Sequence, residues 1–206
     1  GSPLEIVGSM NLNGNTLTVE RDTTIRSGNV DIQGGTFKIT GNLVQESGVM
    51  KPSGGKLEVG GDYRIQKYDK KHESYTDCDG SLYMMGEKDN VTVGGDFYTQ
   101  SSGGWSANQL YGGTMTLKGN FTQLKGNAEN FQAGGTKIVF AGEGKQEISF
   151  ETPESSYFSY PVFENKNIAV KSAIGRWNLN EDITIKDEGS PLEIVGSMNL
   201  NGNTLT

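Results

Sequence analysis

The chain has 206 residues, of which 30 are glycine, roughly twice the usual share, and only 5 are proline. Lysine and arginine total 18 against 25 aspartates and glutamates, a net charge of −7, which argues against a nucleic-acid or anionic-membrane partner because either needs a basic face. A single cysteine, Cys78, excludes an intrachain disulfide, and one histidine with one cysteine excludes the usual nitrogen–sulfur zinc site. No apolar run reaches the length that crosses a bilayer as a helix.

Residues 1–18 read GSPLEIVGSMNLNGNTLT and start mid-pattern, as though cut from a longer polypeptide. From Gly14 a short motif recurs: GNTLTVERDTTIR, then GGTFKITGNLVQ from Gly34 and GGKLEVGGDYRIQ from Gly54, each 20 residues after the last. It returns as NVTVGGDFYTQ from Asn90 and GGTMTLKGNFTQ from Gly112. Within each copy the apolar residues alternate. Phe37 and Ile39, Leu57 and Val59, Val91 and Val93, and Met115 and Leu117 fall on one side, while Lys38, Glu58, Thr92 and Thr116 fall on the other. That period of two predicts strands with one buried face, and no helical stripe competes with it. A weaker apolar beat precedes each glycine pair, at Val30–Ile32, Val49–Met50, Leu82–Met84 and Phe131.

Strands of three to five residues cannot bury a face alone, but near-copies stacked one coil apart can. The expected fold is therefore all-β, a parallel β-solenoid with coils of about 20 residues. Successive coils should be separated by about 4.8 Å, the spacing between paired strands. Gly34 and Gly54 are assigned to corners, where glycine tolerates a left-handed backbone. Asn42, Asp62, Asp96 and Asn120 are assigned to a second corner, stacked along one edge. Leu43, Tyr63, Phe97 and Phe121 each follow that corner and should form an inward ladder.

GGTFKITGNLVQ, GGKLEVGGDYRIQ and GGTMTLKGNFTQ resemble the degenerate coils of filamentous-haemagglutinin-like bacterial surface adhesins. The resemblance covers about residues 10–140. It implies a right-handed β-helix, an extracellular location on a bacterial cell surface, and a stalk or adhesive fibre without chemistry of its own.

The segment 67–80, KYDKKHESYTDCDG, interrupts the period and reads as an inserted loop. Asp77 and Asp79 before Gly80 open like a calcium loop, but the later oxygen ligands and distal glutamate are missing. His72 and Cys78 offer a base and a thiol, a pairing better read as incidental in so charged a loop. Asp62 and Asp96 recur as corner residues, which disfavours a role as paired acids. No catalytic residue, metal or cofactor is therefore assigned. Trp105, Tyr157 and Tyr160, with His72, Asp77, Cys78 and Asp79, remain as possible contact residues for a glycan or host protein; the alternative for the aromatics is shielding the flank of the solenoid. Residues 141–176 show a strand at Gln146–Phe150 but no visible coil phase, and read as an irregular portion.

Residues 189–206 repeat residues 1–18 without a difference, at an offset of 188. Two explanations stand: a tandem array of near-identical units, or a copied segment covering an open end. The unbroken run through Asp187 and Glu188 favours the array. Residues 1–188 then form one unit, and 189–206 begin the next. The expected function is that of a structural repeat stacking head to tail with identical neighbours. An adhesin module that grips glycan or host protein is the second reading, and a carbohydrate-active enzyme the third.

Overall fold

The computed structural model describes residues 3–102, 108–126, 130–170, 177–178, 182 and 198–206. Among them there is no helix; the strands, apart from one hairpin, are parallel and wind into a β-solenoid of about 7 turns with coils of roughly 23 residues.

Each coil contributes three rungs. The first face is an eight-stranded parallel sheet running from Leu4–Val7 through Thr23–Ser27, Leu43–Gln45, Tyr63–Ile65, Phe97–Thr99, Phe121–Gln123 and Gln146–Phe150 to Ile168–Val170. The second face carries short rungs, from Met10–Asn11 through Val30–Asp31 and Val49–Lys51 to Ser81–Met84 and Gln109–Leu110. The third carries Thr16–Val19, Thr36–Ile39, Lys56–Val59, Asn90–Val93 and Thr114–Leu117. The last two faces fuse in the long strand Gln132–Phe140, which joins both and pairs along its length with Tyr157–Phe163.

Two kinds of corner turn the chain. Between the second and third faces, Asn13–Gly14, Gln33–Gly34 and Ser53–Gly54 all have positive φ, near 48° and 79°. The N–H three residues after each turn's start closes it, as where Asn15 donates to the Leu12 carbonyl and Gly55 to that of Pro52. This is the tight turn that needs a left-handed pair, and glycine is the residue that enters it at least cost.

Before the first face, a column of Asp and Asn side chains links coil to coil. Asp22 Oδ1 accepts the N–H of Asn42, Asn42 Oδ1 that of Asp62, Asp62 Oδ1 that of Asp96, and Asp96 Oδ1 that of Asn120, at 2.7–2.9 Å. Asn120 Oδ1 passes the series on to the N–H of Glu147. Asp and Asn both serve this series because the acceptor in each of its bonds is the Oδ1 they share. The series starts at Asp22. Leu4 is in register with Thr23, so Pro3 stands at the preceding corner, and proline brings neither an N–H nor a side-chain oxygen.

Inside, Leu43, Tyr63, Phe97, Phe121 and Ile148 are successive register partners and fully buried. Phe121 is the hub of an aromatic cluster, its ring centroid 4.8–5.8 Å from those of Phe97, Phe131, Phe150 and Phe158. Polar side chains also take interior places. Gln45 accepts the Tyr63 hydroxyl at 2.5 Å and donates to the carbonyls of Gly48 and Ser81. Asn108 accepts from the Leu82 N–H and donates to Thr99 and the Asn130 carbonyl.

The expectation that residues 141–176 leave the coil phase is corrected through residue 170; residues 171–176 lie outside the described residues. Gln146–Phe150 and Ile168–Val170 are regular rungs of the first face, and Tyr157–Phe163 stacks on Gln132–Phe140. Across Gly134–Thr136, where earlier coils turn, the register between Gln132–Phe140 and Tyr157–Phe163 shifts while both strands continue.

Removing the Phe121 ring should leave a cavity lined by four other phenylalanines. Phe121→Ala is expected to cost about 3–5 kcal/mol in urea unfolding, where a loss below about 1 kcal/mol would contradict the cluster. Conversely, Thr23 occupies the ladder position with its hydroxyl buried and unpartnered. Thr23→Val keeps the shape, removes the desolvated oxygen, and should raise stability by about 1 kcal/mol in the same assay.

Candidate functional site

The insertion 67–80 is a protruding antiparallel hairpin, Lys67–Asp69 against Ser74–Thr76, the only antiparallel pair among the described residues. Its tip is held by Asp69, whose carboxylate accepts the Lys71 N–H at 2.8 Å and meets His72 Nδ1 at 2.5 Å. His72 and the Lys71 N–H together hold the Asp69 carboxyl below its ordinary range, the histidine contact being the larger cause. Tyr68 and Tyr75 face each other across the hairpin with ring centroids 5.2 Å apart, and both are about two-fifths exposed.

A cation fastens this hairpin to the first face. The Arg64 guanidinium carbon lies 3.6 Å from the Tyr98 ring centroid and 4.6 Å from that of Tyr75. Arg64 also donates to Asp62 at 3.0 Å and to Gln66 at 3.3 Å. Tyr98 in turn donates its hydroxyl to Asp96 at 3.0 Å. Burial first, and then Asp96, push the Tyr98 phenol above its ordinary range, against the pull of Arg64. Corner aspartates thus have second duties on the outer surface. The resulting platform of Arg64, Tyr68, Tyr75 and Tyr98 was not singled out in the sequence; the tyrosines two and nine residues after Gln66 were its only signal.

The other marked residues of the insertion are not brought together. Asp77 and Asp79 are exposed, and Asp77 accepts a hydrogen bond from Ser102 at 2.9 Å. Cys78 is buried; its thiol donates to the Gln45 carbonyl and accepts the Gly80 N–H. His72, by contrast, is exposed at the hairpin tip, so no thiol–imidazole pair forms. Among the described residues no group of three or more His, Cys, Asp or Glu is placed to hold a metal ion. Tyr160 is exposed, Tyr157 is half-buried, and Trp105 lies outside the described residues. A shallow groove of about 410 Å³ runs over the outer side of the third face, with Lys38, Glu58, Thr92 and Lys118 along it.

A different kind of site is formed by the ends of the stack. Leu4–Val7, Met10–Asn11 and Thr16–Val19 are edge strands. Leu4, Met10, Leu12, Leu17 and Val19 pack against the core yet stay only half-buried, whereas their counterparts one or two coils on, such as Val30, Ile32, Phe37, Ile39 and Leu43, are buried. Met10 and Leu12 donate their N–H groups to Asn29 and Asp31 on the next coil. The pleat therefore turns the N–H and C=O of Asn11 to the opposite, outer edge.

The repeated segment shows the complement. Met198–Asn199 pairs in parallel with Trp177–Asn178. Asn201 and Gly202 have φ of 48° and 81°, matching Asn13 and Gly14 at 48° and 79°. The Asn201 N–H is capped by Asn199 as the Asn13 N–H is by Asn11. The Thr204 N–H, counterpart of that of Thr16, donates to Asp182 at 2.7 Å. One sequence thus takes one turn geometry at both ends, bonded forward in one place and backward in the other.

Searches against protein-family models, curated proteins and solved structures each found no match.

The Cys78 thiol is pushed up to about 12, chiefly by burial, with Asp79, Asp77 and Glu46 adding to it against the Gly80 N–H. The native thiol should therefore resist alkylation at pH 8 until the chain is unfolded. The sign for stability follows: the unfolded thiol ionises near its ordinary value of 9.0 while the folded one stays protonated, so stability falls as pH rises from about 9 towards 12. Alkylation of the native chain as fast as that of the denatured chain would contradict this burial.

Proposed function

We propose that the chain is a structural repeat of an elongated bacterial cell-surface stalk or fibre, stacked head to tail on identical repeats of the same polypeptide. It acts by length and stiffness and not by catalysis. The observation that carries this reading is the doubled 18-residue segment, paired forward as the first coil and backward as the last. A solenoid extends by one coil at a time with contacts only between neighbours, so units add without redesign of the interior. The half-buried apolar residues of the first coil fit a surface meant to be covered. The resemblance of the glycine-cornered coils to filamentous-haemagglutinin-like adhesins supports the extracellular placement, and the single cysteine is compatible with it.

A second reading, a module that grips glycan or a host protein, rests on the platform of Arg64, Tyr68, Tyr75 and Tyr98. Two exposed rings beside a fixed cation can stack on a sugar while neighbouring amides and carboxylates take its hydroxyls.

A two-unit chain, made by continuing residues 189–206 through a complete second unit, should scatter X-rays as one straight rod about twice as long as the single unit. Two bodies joined flexibly would sink the stalk reading. On a glycan array the single unit should retain nothing; selective retention abolished by Tyr75→Ala would establish the second reading in its place.

A further inference from the structure

We propose that Tyr68 and Tyr75 form an oxidative cross-linking site, at which a one-electron oxidant of the peroxidase class joins their rings into a dityrosine that staples the hairpin shut. The site stands for a stalk and for a glycan-binding module alike. The two residues are register partners in the antiparallel pair, with ring centroids 5.2 Å apart and planes tilted by 57°. At that separation and tilt the ring edges touch. Two different contacts hold them there. Strand pairing places Tyr68, while Tyr75 also rests on the Arg64 guanidinium, whose carbon lies 4.6 Å from its centroid. Tyr68 is 39% exposed and Tyr75 38%, so an oxidant too large to enter the protein reaches both. Among the described residues no other two of the 8 tyrosines are in ring contact. Tyr63 is fully buried, and Tyr98 makes no ring contact with either hairpin tyrosine although it shares Arg64 with Tyr75. Tyr111 and Tyr160 are exposed but form no such pair.

Hydrogen peroxide, acting through a haem peroxidase, takes one electron and one proton from each phenol and leaves as two waters. The two phenoxyl radicals form one carbon–carbon bond between the ring positions beside their hydroxyls. The hydrogen on each of those carbons then moves to the oxygen and restores the phenol, so the chain loses two hydrogens and gains one bond. Coupling within the hairpin outruns coupling between molecules, because rings in contact on one chain act at an effective concentration far above that of separate chains. The isolation of the hairpin gives the bond its effect. Lys67–Asp69 and Ser74–Thr76 form a two-stranded sheet joined to no face of the solenoid, and such a pair is marginally stable alone. A covalent link across it removes open conformations, as a disulfide does, and keeps Tyr75 on Arg64.

The test treats the folded 206-residue chain, in dilute solution, with hydrogen peroxide and a haem peroxidase. The expected product is a monomer lighter by two hydrogens that shows dityrosine fluorescence. Trypsin, cutting after Lys70 and Lys71, should leave the peptides that carry Tyr68 and Tyr75 joined. Tyr68→Phe keeps the ring and its packing and should abolish that product. The chain unfolded in urea should give at least about fivefold less of it, because only the fold fixes the two rings in contact. Hydrogen exchange at residues 67–76 of the linked product should slow by about tenfold or more. Coupling chiefly between molecules or through Tyr111 or Tyr160, an equal yield from the unfolded chain, or an undiminished intramolecular link in Tyr68→Phe overturns the site. Unchanged exchange in the linked hairpin overturns the staple.

Discussion

The structure depends on hydrogen bonding from each coil to the coil above and below it, reinforced at one corner by a side chain. At Asn42 all three polar groups on this corner are engaged: the carbonyl accepts from Thr23, the N–H donates to Asp22 Oδ1, and its own Oδ1 accepts from Asp62. A corner is where a parallel ladder ordinarily loses partners, because the backbone turns away from the strand direction. The Oδ1 series restores them without lengthening the turn, so short rungs can follow closely. Everything inside follows from that registration. Once corners are stacked, the residue after each corner must stack too, which is why Leu43, Tyr63, Phe97 and Phe121 meet.

The same column carries an electrostatic load. Neighbouring rungs lie about 4.8 Å apart, so an unbroken run of aspartates would place like charges in direct succession. Asn42 divides Asp22 from Asp62, Asn120 follows Asp96, and Arg64 sits on Asp62 at 3.0 Å. The alternation that looks like loose sequence constraint is a compromise: the acceptor is kept at every step, the charge at only some.

Much of the architecture was legible from residues because corners and strand alternation leave local signals. Gly34, Gly54, Asn42 and Asp62 mark turns by chemistry that few other residues supply, and Phe37–Ile39 or Leu57–Val59 mark faces by period. Where those signals stop, reading failed. Gln132–Phe140 and Tyr157–Phe163 each run on through a corner position, so the pair Gly134–Gly135 marks no break between faces and the later strand carries no glycine, although the two stack in parallel with one register shift. Buried Gln45, Asn108 and Asn130 were invisible because a polar residue gains an interior place only through partners distant in sequence. The platform was missed for a similar reason: Arg64, Tyr75 and Tyr98 come from two coils and an insertion, and only the fold sets them face to face. In the insertion, composition drew the eye to Asp77 and Cys78, while Tyr75 makes its contact with Arg64 of the first face.

The proline at the start of the corner series has a mechanical consequence. The coil boundaries from Asp22 to Glu147 on that edge each carry a side-chain bond as well as backbone bonds, but the boundary before Asp22 does not, because Pro3 supplies no acceptor. Pro191 is the matching residue of the repeated sequence, at the offset of 188. In the proposed stalk, a rod of such units would therefore be weakest at intervals of one repeat. Pulled from its ends, it would part at the proline seams and shed whole units, the interior coils surviving the tension that breaks it.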